Sequence, residues 1–282
     1  MKPEEFTRMT LAVEDGVGLI TLNRPEQRNA WAGRTAIEYR WALHLCDVDP
    51  DVHVVVLTGE TDFCVGADSK LLDEIDSNGG AYTVEKVELP DYPAGTPEPL
   101  RHNHMYPLTL SVPVIAAICG GCAGAGFLVA TYADIRFAET GSKIASSFAA
   151  LGLPAEYGTG WMLPRIVGLP NAAQLVYSPN PITAERAFEL GWVQTVSDRG
   201  CVVADAVSYA RALASGSSSE SLRMMKRAVF TDSMFGLEEA YRRSVDDMNG
   251  ALESADFTEG VRALSEKRPP DFLGTRNGRP LR

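Results

Sequence analysis

The feature that most constrains this chain is a strand–loop–helix unit that occurs twice, each time with very small residues in the loop. Its segments are, in order, the strand 52–58, the triplet Gly66-Ala67-Asp68 with the helix 69–75, the strand 112–118, and the glycine-rich connection 120–126 with the helix 127–133. Short apolar runs bounded by glycine predict buried strands. Their alternation with helices predicts an α/β fold whose strands carry functional loops at their C-terminal ends.

The other segments add a hairpin and many helices. The apolar-rich runs 11–14 and 17–22 flank Asp15-Gly16, a strong turn pair, and predict an antiparallel hairpin. Residues 34–46 are typical of a helix, and from Thr159 onward the pattern is mostly helical, with one short strand at 192–196. The predicted helices there are 159–168, 171–178, 183–190 with Gly191 as its C-cap, 201–214, 219–231, 236–252 and 255–266.

These patterns divide the chain into a core, residues 1–204, and a helical C-terminal region, residues 205–282. Within the core, residues 76–107 are rich in glycine, proline and charge and show no periodicity, as is typical of a lid, a binding element or a disordered insertion. Helices with apolar faces and no sheet beside them must pack on the core or on another subunit. We therefore expect a homo-oligomer.

Composition limits the class of protein. With 282 residues, of which 45% are hydrophobic, the chain can bury a sizeable core. No segment approaches the ~18 uninterrupted apolar residues of a membrane span, and the N-terminus lacks the character of a signal peptide. The formal net charge of −11 argues against nucleic acid as a partner. We expect a soluble cytoplasmic protein that binds neither membrane nor nucleic acid.

Cys119 and Cys122 have the C-x-x-C spacing of a redox motif or of half a zinc site. No second such pair occurs, and the four histidines lie far away in sequence. The two cysteines also lie within the glycine-rich connection. We interpret them as small residues that fill a tight turn, and we expect no metal.

The small residues of the two loops suggest an anion site. The leading N–H groups of a helix lack partners within the helix and lie at the positive end of its dipole. Two such ends, with small side chains at Ala67 and at residues 124–126, can admit a substrate oxygen and stabilise an enolate or a tetrahedral oxyanion. The fingerprints of dinucleotide and Walker-type nucleotide loops are absent. The residues alone fit this chemistry and close helix–sheet packing equally well.

Four segments carry a resemblance to a known family. They are N-R-P-E-Q-R-N-A at 23–30, F-C-V-G-A-D-S-K at 63–70, P-V-I-A-A at 113–117 with the glycine-rich turn, and E-K-R-P-P at 266–270. In order and spacing they resemble the motifs of the crotonase (enoyl-CoA hydratase/isomerase) family over nearly the whole chain. The resemblance implies an α/β fold with a crotonase-like ββα spiral core, a helical C-terminal oligomerisation region, and a homotrimer or hexamer. It also implies an acyl-CoA thioester substrate and no cofactor, since coenzyme A is part of that substrate.

The resemblance assigns the oxyanion donors to the backbone N–H groups of Ala67 and Ala125, and Ala125 stands where the family usually has glycine. It places contacts with the substrate and its coenzyme A at Arg28, Ala30, Ala67, Asp68, Ser69, Lys70, Gly124, Tyr157 and Lys267. The three cations among them would supply the positive charge that the net charge lacks, although each also fits a solvated surface cation. Asp68 we interpret as a helix cap rather than an acid.

The sequence departs from the family at the catalytic acids. Hydratases of the family use two glutamates, and the corresponding positions here are Leu128 and Phe148, which cannot transfer a proton. Glu156 instead matches the place of a catalytic aspartate in dienoyl-CoA isomerases, although it also fits a first-turn carboxylate favoured by the helix dipole. Tyr157 and the histidines 102 and 104 are weaker candidates for proton transfer.

Three functions remain open at this stage. The first is an isomerase in which Ala67 and Ala125 stabilise a thioester enolate while Glu156 removes and returns one proton. The second is an enoyl-CoA hydratase or an acyl-CoA hydrolase in which Glu156, with or without a histidine of the insertion, activates water. The third is a catalytically silent acyl-CoA-binding protein, which Leu128 and Phe148 favour and Glu156 disfavours.

Overall fold

Two sheets form the centre of the protein in the computed structural model, which describes residues 1–81 and 87–272. The strands are β1 Met9–Glu14, β2 Val17–Leu22, β3 Val54–Gly59, β4 Val114–Ile118, β5 Gly121–Ala123, β6 Ile135–Glu139, β7 Lys143–Ala145, β8 Ile182–Thr183 and β9 Thr195–Ser197. The large sheet has the order β1-β2-β3-β4-β6-β9, and the small sheet has the order β5-β7-β8. In the large sheet only β1 and β2 are antiparallel neighbours.

The predicted N-terminal hairpin is confirmed. Glu14 pairs with Val17, which leaves Asp15 and Gly16 as a two-residue turn. Both residues have positive φ, 50° and 79°, the combination that a type I′ turn requires and that an Asp-Gly pair readily adopts. The hairpin forms one edge of the large sheet.

The glycine-rich connection at 120–126 contains a strand that the sequence analysis did not predict. Its residues 121–123 form β5, which pairs in parallel with β7, and β7 pairs antiparallel with β8. The strand escaped sequence reasoning because it is only three residues long, contains glycine, and depends on a partner that comes later in the chain.

Helices make up much of the rest of the described chain. They are α1 Gly33–Val48, α2 Ser69–Ser77, α3 Tyr106–Thr109, α4 Ala125–Thr131, α5 Thr159–Val167, α6 Leu169–Tyr177, α7 Ala184–Glu189, α8 Val202–Gly216, α9 Ser219–Phe230, α10 Leu237–Leu252 and α11 Ala255–Glu266. α4 begins earlier than predicted, so that Ala125 is its first residue. The strand predicted at 192–196 is misplaced: Trp192 is fully buried and stacks on Phe127, with ring centroids 4.8 Å apart.

The two central strands are buried on both faces, since every residue of β3 and β4 is buried. On one face, Val54 and Val56 pack with Val202, Ala206 and Ala210 of α8. α8 is therefore part of the layer that covers the sheet, and the predicted boundary between residues 204 and 205 falls inside it. The division of the chain into two regions stays a prediction, and its last ten residues, 273–282, lie outside the described ranges.

Arg40 of α1 fastens the predicted insertion to the core. Its guanidinium carbon lies 4.1 Å from the ring centroid of Tyr92 and 3.7 Å from that of Tyr106, and the same group donates two hydrogen bonds to the insertion, of 2.7 and 2.8 Å. Such cation–π contacts are stronger when they are desolvated, as here. Residues 87–107 are thus held against α1, whereas residues 82–86 lie outside the described ranges.

The C-terminal helices differ in how they meet the core. In α9, Lys226 Nζ donates to the carbonyl of Val112 and to the carboxylate of Asp134, both at 2.8 Å. α10 and α11 instead expose apolar side chains, namely Leu237, Tyr241, Met248, Leu252, Phe257, Val261 and Leu264. Within residues 1–81 and 87–272, no helix has both the length and the apolar character that a membrane crossing requires.

Candidate active site

The first loop follows β3 and presents the backbone N–H of Ala67. The backbone N–H of Trp31 donates to the carbonyl of Gly66 at 2.7 Å, and the backbone N–H of Asp68 donates to the carbonyl of Trp31 at 2.9 Å. Trp31 and Ala67 therefore form a parallel bridge. The N–H of the middle residue in such a bridge points away from the partner strand. No acceptor for the Ala67 N–H occurs in the described part of the chain, and Ala67 is exposed.

Asp68 caps α2, as predicted. Its carboxylate accepts the N–H of Lys70 at 3.0 Å and forms an ion pair with Arg24 at 3.0 Å. Arg24 also donates to the carbonyl of Ala30 at 2.9 Å. Because both side chains of the pair are almost fully buried, it fixes the first loop against the chain segment that contains Ala30.

The second loop follows β4 and presents the N–H of Ala125. Cys64 of the first loop donates its backbone N–H to the carbonyl of Gly121 at 3.0 Å, and its own carbonyl accepts the N–H of Ala123 at 2.9 Å. These two bonds place β5 beside the first loop. Gly124 then turns the chain with φ 49° and ψ −114°, and α4 starts. The leading N–H groups of a helix have no partner within it, and no residue in the described ranges accepts that of Ala125.

The two loops touch through their glycines. A Cβ on Gly124 would lie 3.3 Å from the Cα of Gly66, and a Cβ on Gly126 would overlap the carbonyl oxygen of Cys64. Gly66 also has a φ of 112°, a conformation that other residues rarely adopt. The two alanines follow the touching glycines directly, so their free N–H groups lie on adjacent loops. This arrangement suits the stabilisation of an oxyanion.

Glu156 lies in a segment that is fixed at the end of α4. Tyr132, the C-cap residue of α4, donates its hydroxyl to the carbonyl of Tyr157 at 2.5 Å. Gly158 packs so closely that a Cβ there would come within 2.5 Å of Met105 Cε. The Glu156 carboxyl is half-buried, and this burial raises its pKa above the ordinary glutamate value. A raised pKa makes the ionised carboxylate a stronger base, as a group that accepts a proton from a substrate requires.

An aromatic contact joins the insertion to this segment. The ring of His104 stacks on that of Tyr157, with centroids 3.9 Å apart and planes 28° apart. Burial lowers the pKa of His104 to about 4, so its imidazole is neutral at physiological pH. Tyr157 has a φ of 47° and is 55% exposed, and His102 is exposed. Tyr157 therefore presents an aromatic face that His104 supports from one side.

The two positions that the resemblance assigns to the hydratase glutamates are buried. Leu128 and Phe148 are only 1% and 2% exposed. Leu128 packs in a cluster with Leu108, Tyr132 and Met162, where an ionised carboxylate would lack compensation. Among the residues that the structure describes, no group of three potential metal ligands occurs.

The other predicted contacts with coenzyme A lie on several elements. Arg28 donates from Nε and Nη2 to the carboxylate of Asp62, at 2.9 and 3.0 Å. Ser69 and Lys70 are exposed in the first turn of α2, and Lys267 is exposed at the C-cap of α11. The geometry brings Ala67, Asp68, Gly124 and Ala125 onto two adjoining loops. All the assigned contacts with the substrate stay predictions.

Sequence reasoning missed four participants in this geometry: Arg24, Asp62, His104 as a stacking partner, and Tyr132. Arg24 belongs to the recognised segment 23–30, and a buried arginine needs an acidic partner, so its pairing could have been sought. The other three carry no local signal. Their roles depend on contacts between residues that are distant in sequence.

Comparison with known proteins identifies the family. Residues 12–275 match the family model described as Enoyl-CoA hydratase/isomerase. A 1,2-epoxyphenylacetyl-CoA isomerase of Escherichia coli strain K12 is 33% identical over 93% of this chain and 97% of its own length. A mevalonyl-coenzyme A hydratase of Aspergillus fumigatus is 32% identical over 90% of both chains. The chain therefore belongs to the enoyl-CoA hydratase/isomerase family and is an enzyme of this type.

Solved structures agree with this assignment. The crystal structure of a probable enoyl-CoA hydratase/isomerase from Mycobacterium abscessus is 30% identical, covers 96% of this chain and 100% of that one, and has a TM-score of 0.81. An enoyl-CoA hydratase from Bacillus anthracis is 26% identical, covers 95% of this chain and 100% of that one, and has the same TM-score of 0.81. The predicted family and the predicted crotonase-like α/β fold are confirmed.

The contact between the loops gives a first testable prediction. In Gly126→Ala, the new Cβ would collide with the Cys64 carbonyl, so α4 must move away from the first loop. We expect a destabilisation of about 1 to 3 kcal/mol, measured by urea unfolding. The control is Gly160→Ala, whose Cβ would make only an ordinary contact, 3.7 Å from the Ala155 Cβ. Equal stability of the two variants would show that the loops do not touch as described.

Proposed function

We propose that this enzyme shifts the double bond of an acyl-CoA thioester. One observation carries the proposal, namely which positions hold a carboxylate. The two positions that correspond by resemblance to the hydratase glutamates hold the buried residues Leu128 and Phe148, whereas Glu156 is half-buried and has a raised pKa. Hydration of a double bond requires one group to activate water and a proton donor for the α-carbon. A double-bond shift requires one base only, because the same carboxylate can remove a proton and return it.

The proposed reaction starts from a 3-enoyl thioester. Glu156 takes a proton from C2, and the electron pair of the C–H bond moves into the conjugated system and onto the thioester oxygen. The N–H groups of Ala67 and Ala125 stabilise the resulting dienolate, and each such donor contributes about 3 to 4 kcal/mol to the lowering of the barrier. The protonated Glu156 then delivers the same proton to C4. The product is the conjugated 2-enoyl thioester.

The link between α4 and the segment that contains Glu156 supports this assignment. Ala125 begins α4, and Tyr132, just beyond its last residue, donates to the backbone carbonyl of Tyr157, the neighbour of Glu156. A helix of this length spans about 10 Å, so the backbone beside Glu156 and one proposed oxyanion donor are tied to the two ends of one short, rigid element. Rigid positioning of this kind lowers the entropic cost of reaching the transition state.

A second candidate function uses the same residue. In a hydratase or hydrolase, Glu156 would activate water, and the neutral His104 that stacks on Tyr157 is the group that favours this reading. The relatives of this chain include both an isomerase and a hydratase. A protein that binds acyl-CoA without turnover is the remaining alternative.

Glu156→Gln tests the proposed proton carrier. The amide keeps the shape of the side chain and the oxyanion donors are backbone groups, so the dissociation constant for acyl-CoA should change little. Turnover of 3-enoyl-CoA to 2-enoyl-CoA, followed by the absorbance of the conjugated thioester, should fall by at least about 100-fold. The control is Glu253→Gln, which removes an exposed carboxylate. If the Glu156 variant turns over as fast as the parent, Glu156 is not the proton carrier, and Tyr157 or His104 becomes the candidate.

The raised pKa of Glu156 also predicts a pH dependence of stability. A carboxyl whose pKa is higher in the folded protein than in the unfolded chain stabilises the fold at acid pH, and this contribution is lost as pH rises through the folded-state pKa. Glu156→Gln cannot ionise, so it should melt at a higher temperature than the parent at about pH 8, and the difference should vanish toward about pH 4. A variant that melts at or below the parental temperature at the higher pH would contradict the burial of this carboxyl.

We also propose a homotrimer or hexamer in the cytoplasm, assembled through the C-terminal helices. Leu237, Tyr241, Met248 and Leu252 recur along one face of α10 and are exposed in the single chain. Sedimentation at micromolar concentration should give three or six times the chain mass, and Tyr241→Glu should reduce the assembly because it places a charge on that face. A parental protein that sediments as a monomer would refute this proposal.

A further inference from the structure

We propose that Asp62 is a positioning residue that couples the coenzyme A side of the site to the oxyanion donors. The inference rests on the acyl-CoA function proposed above. Asp62 lies in the first loop, ahead of Ala67, and is not itself expected to touch the substrate. Its proposed role follows from its hydrogen bonds, which join three segments of the chain.

The Asp62 carboxylate has two kinds of partner. Its Oδ2 accepts from Arg28 Nε at 2.9 Å, and its Oδ1 accepts from Arg28 Nη2 at 3.0 Å. The same Oδ1 accepts the backbone N–H of Gly121 at 2.6 Å. In addition, the backbone carbonyl of Asp62 accepts from Asn29 Nδ2 at 2.7 Å. One residue thereby connects segment 28–29, the first loop and the start of β5.

The local backbone is built to admit this carboxylate. A Cβ on Gly120 or on Gly121 would lie 2.8 Å from Asp62 Oδ1, so these two glycines leave the space that the oxygen occupies. Gly121 is the first residue of β5, and the carbonyl of Gly121 accepts the N–H of Cys64. The hydrogen bond from Gly121 to Asp62 therefore fixes the strand that leads directly to Ala125.

Charge strengthens the arrangement. The hydrogen bonds from Arg28 and the N–H of Gly121 lower the pKa of Asp62, so its carboxylate is ionised at neutral pH. Bidentate arginine–carboxylate pairs are directional and stronger than neutral hydrogen bonds. Asp62 is largely buried, whereas the Arg28 side chain is 63% exposed. The buried carboxylate of Asp62 thus orients the exposed guanidinium of Arg28.

Arg28 keeps donors for a ligand. Within the described residues its side chain donates from Nε and Nη2, and Nη1 has no partner there. A guanidinium held rigidly on one edge can offer its other edge to a phosphate. Asp62 would thus serve both ends of a coenzyme A thioester, through Arg28 at the nucleotide end and through Gly121 at the carbonyl end.

The experiment uses 4-(dimethylamino)cinnamoyl-CoA, whose absorption moves to longer wavelength when hydrogen-bond donors polarise the thioester carbonyl. Titration of the full chain with this ligand gives both the wavelength shift and the dissociation constant. Turnover of 3-enoyl-CoA is measured in parallel. The variants are Asp62→Ala, Asp62→Asn and Arg28→Met, and the control is Glu60→Gln, which removes an exposed carboxylate two residues away.

Asp62→Ala removes all three hydrogen bonds of the carboxylate, so most of the wavelength shift should be lost and turnover should fall about 10- to 100-fold, as for a small misplacement of a catalytic group. Arg28→Met leaves the Asp62–Gly121 bond in place, so it should keep the shift while the dissociation constant rises at least about threefold. Asp62→Asn should lose part of the shift and also bind more weakly. Glu60→Gln should behave as the parent.

Circular dichroism and thermal melting show whether each variant is folded, and Asp62→Asn decides the question if Asp62→Ala does not fold. A parental shift and dissociation constant in a folded Asp62 variant would overturn the inference. A parent that shows the shift but does not isomerise 3-enoyl-CoA would refute the proposed reaction alone, and the shifts of the variants would still test Asp62. A parent that fails to bind the ligand, or binds it without a shift, would overturn both.

Discussion

The contact between the two loops that follow β3 and β4 is the constraint on which the rest of the site depends. Adjacent parallel strands end at the same edge of the sheet, so their loops leave side by side. Cys64 then pairs with Gly121 and Ala123 as a strand would, and glycines meet where a side chain would not fit. Within this contact the backbone groups of the two loops bond to each other, whereas the N–H groups of Ala67 and Ala125 have no acceptor among the residues that the structure describes. The proposed anion site is thus a consequence of how the two loops pair.

We propose that the acidic group of the site lies at a different position from that in the hydratases of the family. A carboxylate at position 128 would sit in a closed apolar cluster, and the side chains there pack as an ordinary core. Glu156 occupies a half-buried position, in a segment that Tyr132 and the contact between His104 and Tyr157 hold in place. Burial of an ionisable group without an opposite charge costs stability, and functional sites commonly carry such costs. In our account this cost is the source of the basicity that proton transfer requires.

Local patterns in the sequence predicted the elements whose cause is local. The Asp-Gly turn defined the hairpin, apolar runs defined β3 and β4, and a small polar residue before a helix identified Asp68 as a cap. β5 could not be predicted in this way, because three residues form a strand only when Cys64 and β7 lie on either side of them. Trp192 was included in the predicted strand 192–196, whereas in the structure it lies before β9 and stacks on Phe127. Asp62 likewise has no motif, since its partners lie in two other segments. The candidate donors and the acid were named from resemblance, whereas the contacts that hold them in place required the structure.

The most direct test of the account is a crystal structure of the enzyme with a bound acyl-CoA thioester. The distances to be measured run from the thioester oxygen to the backbone nitrogens of Ala67 and Ala125. The account predicts that both fall between about 2.7 and 3.1 Å, as effective oxyanion donors require, with the Glu156 carboxylate facing C2 of the acyl chain. A thioester oxygen that lies beyond hydrogen-bonding distance of both nitrogens would contradict it.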